Sequence, residues 1–201
     1  FHDDDAVPDI DGKSPQQVLK EAAKVRKMLE GEGLVAEFVA PRLWEGPKTI
    51  DGGYTSNNAA ERKYAIERSL QTVDIAAELG CNQLVLWLAR EGTYIRESKN
   101  ARQAQQQILD ALNAMLNRNP RVRIMIEPKP NEPMDHTYVP TIGHAIAMAY
   151  ASVDPNRVGG LIETAHAKLA GLDPSDEMAF ALFHKKLWSV HLNDQNGLKF
   201  D

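Results

Sequence analysis

Four short segments of this chain are apolar almost from end to end and then stop at a polar or charged group: QLVLWLA from Gln83, RIMIE from Arg123, VGGLIET from Val158 and LWSVHLN from Leu187. Between them lie stretches with helical spacing, from about Ala101 to Leu116, over TIGHAIAMAYASV and over SDEMAFALFHKK, where Ser175 is a suitable cap. A strand that is apolar on both faces needs cover on both faces, and alternating helices supply it. The pattern predicts a parallel sheet clothed in helices. Two architectures satisfy it, the open doubly wound sheet and the (β/α)8 barrel.

The strand ends choose between the two. Trp87 is followed by Arg90 and Glu91, Glu127 by Lys129, Glu163 by His166, and His191 by Asn193 and Asp194. In a barrel the carboxyl ends of all strands meet on one face, whereas in an open sheet only those at the switch point meet. Charged groups at four successive ends therefore favour the barrel, and no Gly-rich phosphate loop follows the first strand. Upstream, Ser14-Pro15 starts a helix that Gly31 and Gly33 end, LVAEFVA (Leu34 to Ala40) reads as a strand, and a second helix runs from about Asn58 to Leu79. The expectation is one partial barrel domain over 1–201, with the first and last strands absent.

Carboxylates gathered at one mouth repel each other and stay ionised at low cost if a cation lies between them. Glu127, Glu163, His166 and His191 are ligand types for a divalent ion, and Asp201 stands where it could complete a second position. The alternative is that each carboxylate caps a helix or pairs with an arginine. Lys129, two residues past Glu127, falls on the same side of the strand and could donate to a substrate oxygen that gains negative charge; it could equally neutralise Glu132 or Glu91. His2 with Asp5 forms a possible proton shuttle, although a frayed acidic terminus would have the same sequence. Trp44, Trp87 and Trp188 read as packing groups or as an aromatic wall beside a sugar.

The net charge of −5, without a basic face, disfavours nucleic acid. No apolar run approaches membrane-spanning length, no signal-peptide pattern opens the chain, and a single cysteine, Cys81, fits a reducing, cytoplasmic setting. FHDDD begins without methionine and HLNDQNGLKFD stops inside a pattern, so the sequence is expected to be a piece of a longer one.

FHDDD, DGGYTSN, LWLAREG, IEPKPNEP, PTIGHAIA, ETAH, AGL and HLNDQNGLKFD, in that order, resemble the xylose isomerase family over essentially the whole chain. The resemblance implies a (β/α)8 barrel in which two divalent metals (Mn, Mg or Co) serve a 1,2-hydride shift between aldose and ketose, in a cytoplasmic homodimer or homotetramer. It implies that Glu127 holds the first metal, that Glu163 bridges both, and that His166 and Asp201 hold the second. Lys129 would bond the carbonyl oxygen, His2 and Asp5 would assist ring opening, and Trp87 would line the sugar site. Glu132-Pro133 matches a position where the family keeps a cis peptide. His191 stands where most members have an aspartate ligand, which removes a charge and favours Mn, Co or Zn over Mg, in the manner of rhamnose isomerases. Trp44 stands where a smaller aromatic is usual. The rivals are a sugar epimerase of the same superfamily and a truncated, non-catalytic chain acting as a binding or assembly module.

Overall fold

Ser14 opens the first long helix as the motif predicts: its hydroxyl accepts from Gln17 N while Gln17 Oε1 accepts from Ser14 N, with Pro15 at the first helical position. The computed structural model describes residues 1–198, so Asp201 lies outside the described residues. In order the main elements are α1 (Asp3–Ala6), α2 (Pro15–Gly31), α3 (Ala59–Leu79), β1 (Gln83–Trp87), β2 (Gly92–Thr93), α4 (Ala101–Arg118), β3 (Arg123–Glu127), β4 (His136–Thr137), α5 (Ile142–Ala151), β5 (Val158–Glu163), α6 (Thr164–Leu169), α7 (Pro174–Phe183) and β6 (Leu187–His191). Two boundaries differ from expectation. The cap of α7 is Asp173, whose carboxylate accepts from Ser175 N, because Pro174 already occupies the first helical position. The strand expected over Leu34–Ala40 shrinks to bridges at Val39, which exchanges backbone bonds with Gln83 and Val85, and at Ala40, which exchanges them with Phe1 and Asp3.

The principal sheet is parallel in the order β1-β3-β5-β6. Val39 extends it beyond β1, and His2 pairs in parallel with Ala40. Chain order and spatial order therefore agree from His2 to β6 without the reversal that defines a doubly wound sheet. This is an arc of a (β/α) barrel. β2 and β4 form a small antiparallel ribbon that ties the loop after β1 to the loop after β3.

Period-two alternation sorts the strand residues. Leu84, Leu86, Ile124, Ile126 and Ile162 face the helices, and each buried side chain of this size contributes roughly 1.5–3 kcal/mol. Val85, Met125, Leu161 and Ala40 face the barrel interior, packed with Phe38 and Trp188. Two consecutive glycines of β5 make this possible. A Cβ at Gly159 would meet the Trp188 ring at 2.3 Å, and one at Gly160 would meet Ile142 Cδ1 of α5 at 2.3 Å. A register shift between Gly160 and Leu161 lets β6 turn both Trp188 and, three residues later, His191 to the inside.

Candidate active site

Two residues beyond Val85, Met125 and Leu161 stand Trp87, Glu127 and Glu163, so the alternation that builds the interior also delivers these side chains to its mouth. The register pairs Trp87 with Glu127 and Glu163 with His191. With them Phe1, His2, Asp5, Phe38, Trp44, Lys129, Glu132, His166 and Asn193 line a cleft of about 630 Å³, within the size range of small-molecule sites.

Glu163 occupies the N-cap position of α6 without its side chain capping it, and His166 follows three residues later, which places both side chains on one side of the first helical turn. His166 Nδ1 lies 3.5 Å from Glu127 Oε1 and its Nε2 lies 3.5 Å from Glu163 Oε1. Ligand atoms of Glu127, Glu163 and His166 all fall within 4.8 Å of one another, a spacing that one divalent ion with bonds of about 2.0–2.6 Å can span. Two carboxylates and an imidazole form a donor set suited to Mn²⁺, Co²⁺ or Zn²⁺. His191 stands at the edge of this group, its Nδ1 4.0 Å from Glu163 Oε2. Asn193 donates to Glu163 Oε1 at 3.0 Å, and its own backbone is fixed by reciprocal bonds with the Thr164 hydroxyl.

Lys129 is buried and lines the same cleft, and its ammonium bonds Glu132 and lies 5.2 Å from the Trp87 ring. Pairing with Glu132, one of the roles open from sequence, thus coexists with a place in the cavity. Glu132 has φ 57° and precedes a cis proline, as the motif implies. An aromatic wall borders the cleft: His2 packs edge-on to Trp44 at 5.0 Å, Trp44 edge-on to Trp87 at 4.6 Å, and Trp87 parallel to His166 at 6.4 Å. Trp188 belongs to the floor beneath.

The amino-terminal segment is firmly held. Asp3 is fully buried and takes Arg68 Nε at 2.5 Å, Arg68 Nη2 at 3.0 Å and the Thr72 hydroxyl at 3.0 Å from α3. This anchor fixes α1, and with it His2 and Asp5, whose ring Nδ1 and carboxylate are 3.1 Å apart. Burial alone would raise the Asp5 carboxyl, but the His2 amide and the Arg42 guanidinium outweigh it and hold it below the usual carboxylate range.

Some expected members of the mouth turn elsewhere. Glu91 is buried outside the cleft and accepts from Gly53 N, Tyr54 N, Thr55 N and the Thr55 hydroxyl at 2.7–3.0 Å. Arg90 donates to the Trp44 carbonyl at 2.9 Å, and Asp194 pairs with Lys168 on the surface. Conversely, Arg42 carries no signal in its immediate neighbours. It bonds Asp4, Asp5 and His2, and its place two residues past the Val39–Ala40 bridges is the feature that could have found it. No helix among the described residues is long and apolar enough to cross a membrane.

A family model described as xylose isomerase-like TIM barrel matches residues 3–201. Among solved structures, a D-tagatose 3-epimerase-like protein superposes with a TM-score of 0.72 at 16% identity, covering 91% of this chain and 66% of its own. The 3-keto-D-glucoside 4-epimerase YcjR from E. coli gives 0.68 at 13% identity, covering 90% and 67%. Protein SMc04130 from Sinorhizobium meliloti 1021 gives 0.60 at 26% identity, covering 86% and 58%. The chain thus spans about two thirds of the first two and less of the third.

Proposed function

The chain belongs to the xylose isomerase-like TIM barrel family, and from that premise we propose that it carries the site of a metal-dependent aldose–ketose isomerase working by a 1,2-hydride shift. The observation that carries the reading is Lys129 beside the Glu127–Glu163–His166 group in one cleft. A divalent cation, when bound by these three residues, supplies the positive charge that polarises a sugar carbonyl and its neighbouring hydroxyl. The Lys129 ammonium donates to the carbonyl oxygen O1, where negative charge grows as hydrogen arrives at C1. The hydrogen leaves C2 with its electron pair, C2 becomes the carbonyl, and the O2 proton ends on O1. Trp44 and Trp87 cover the sugar face and keep water from the migrating hydrogen. With two ions, Glu163 would bridge a first held also by Glu127 and His191 and a second held also by His166 and Asp201.

The epimerase reading has support from the names of two similar structures. Inverting a carbon by proton transfer needs a base on each face of that carbon. Glu127 and Glu163 lie close enough to share one cation, and the ammonium of Lys129 in the same cleft, suited to an oxygen that gains negative charge, is what supports the hydride route. The separating experiment incubates the full-length protein with Mn²⁺ and aldopentoses or aldohexoses in D₂O. Ketose formed without solvent deuterium at C1 supports the proposal; a deuterated epimer sinks it. Exchanging Lys129 for Met is expected to abolish turnover with Mn²⁺ affinity nearly intact, and undiminished turnover would mean that Lys129 does not stabilise the charge on O1.

A further inference from the structure

A neutral imidazole has one N–H and one lone pair. His2 presents Nδ1 to two groups at once, Arg42 Nη2 at 2.8 Å and Asp5 Oδ2 at 3.1 Å. A guanidinium only donates, so its contact needs the lone pair on Nδ1; an ionised carboxylate only accepts, so its contact needs a proton there. The two contacts exclude each other. Whichever is made decides what the second ring nitrogen, Nε2, offers to a ligand in the cleft that His2 lines.

The surroundings favour Arg42. Its contact is the shorter, and its position is fixed: Nε donates to Asp4 Oδ1 at 2.9 Å, the backbone N–H donates to the buried Asp3 at 3.1 Å, and the guanidinium lies 5.6 Å from the Trp44 ring. Asp5 does not depend on the imidazole, because Oδ2 accepts the His2 backbone N–H at 3.1 Å and Oδ1 accepts Arg42 Nη2 at 3.0 Å. We propose that Arg42 is a positioning residue that holds His2 in the tautomer protonated on Nε2. In that state His2 meets the cleft as a hydrogen-bond donor and has no base at Nε2.

The consequence for a sugar rests on the isomerase reading. Opening a cyclic aldose breaks the C1–O5 bond, makes C1=O1, takes the proton from the anomeric O1–H and delivers one to O5. The Nε2–H tautomer can bind O5 but cannot receive the O1 proton. To receive it, His2 must carry its own proton on Nδ1 against Asp5, with Arg42 withdrawn; the imidazolium then passes a proton to O5. Arg42 thereby separates sugar binding from ring opening, two roles that one histidine cannot hold in a single tautomer.

The test is the ¹⁵N spectrum of the histidine rings in the full-length protein at about pH 8, above the ordinary imidazole range, with H2Q identifying the His2 signals. The expected result is an unprotonated Nδ1 and a protonated Nε2 in the parent. Arg42→Met should invert that assignment, and Arg42→Lys, which keeps a donor, should preserve it. A parent protonated on Nδ1, or an Arg42→Met spectrum with the tautomer unchanged, overturns the proposal. If Arg42→Met does not fold, the through-hydrogen-bond ¹⁵N–¹⁵N coupling between Arg42 Nη2 and His2 Nδ1 is read in the parent instead: its presence supports the proposal and its absence overturns it. Because the spectrum needs no turnover, a protein inactive on sugars with the expected tautomer would defeat the isomerase reading and leave the Arg42 assignment standing.

Discussion

Glu91 and Glu163 both follow an apolar strand of one parallel sheet, yet their surroundings are opposite. Glu91 is 2% exposed and receives three backbone amides and a hydroxyl from the Gly53–Thr55 loop. Burial pushes its carboxyl up, against four donors that favour the ionised form. Among the described residues, Glu163 faces the cleft with one hydrogen bond, from Asn193, and lies beside two imidazoles. The first carboxylate is saturated by the protein and stitches the segment carrying the aromatic wall to the loop after β1. The second retains lone pairs for a cation. A carboxylate past a strand thus does structural or chemical work according to how many fixed donors converge on it.

That contrast can be broken most directly at Glu163. Glu163→Gln is expected to lower metal-dependent sugar turnover by about 10³-fold or more, with a Tm in the absence of metal close to the parent's; a large Tm loss would place Glu163 with Glu91. Glu91→Ala leaves three buried amides without an acceptor and, at roughly 1–3 kcal/mol for each unsatisfied donor, is expected to lower Tm by on the order of 10 °C. Thermal denaturation showing little change would end the structural assignment. Mn²⁺ at a hundredfold excess over its Kd should stabilise the parent by about 2.7 kcal/mol, an increment seen in Glu91→Gln and missing in Glu163→Gln. Asn193→Ala frees the Glu163 carboxylate to rotate, and calorimetric titration should find Mn²⁺ bound about 10–100-fold more weakly.

The smallest effect concerns acid. Asp5 and Asp11 are held below the usual carboxylate range. Burial raises each, but the His2 amide and Arg42 outweigh it at Asp5, as do the Tyr64 hydroxyl, Arg68 and Lys48 at Asp11. A lowered folded pKa gives stability that is present above the unfolded value of about 3.9 and lost as pH falls through the folded one. Both groups are partly exposed, so each should contribute well under about 1 kcal/mol. Urea midpoints should fall below about pH 4, and more shallowly in Asp11→Asn. The opposite slope would reverse the assigned direction.

Much of the site was legible in the sequence for a simple reason. Parallel strands joined by helices end on one side, so Glu127, Lys129, Glu163, His166 and His191 had to approach each other once the strands were recognised. Glu91 was misplaced because its donors lie about 36 residues upstream, and no local pattern announces their convergence. Arg42 was hidden similarly: its value lies in partners on α1, not in its neighbours. Leu34–Ala40 looked like a strand because apolar, β-branched residues fit a pleated surface, but a strand also needs backbone partners along its length. Asp173 and Ser175 are both good caps, and only the helix's first turn chooses between them.

The floor and the wall have an optical consequence. All three tryptophans of the chain belong to the same feature: Trp44 and Trp87 border the cleft, and Trp188 lies over Gly159 beneath it. Tryptophan emission from these residues is therefore emission from the cleft and its floor. Co²⁺ entering beside Glu163 should quench it, and a sugar displacing water from Trp44 and Trp87 should shift it to the blue, so occupancy can be followed without a label.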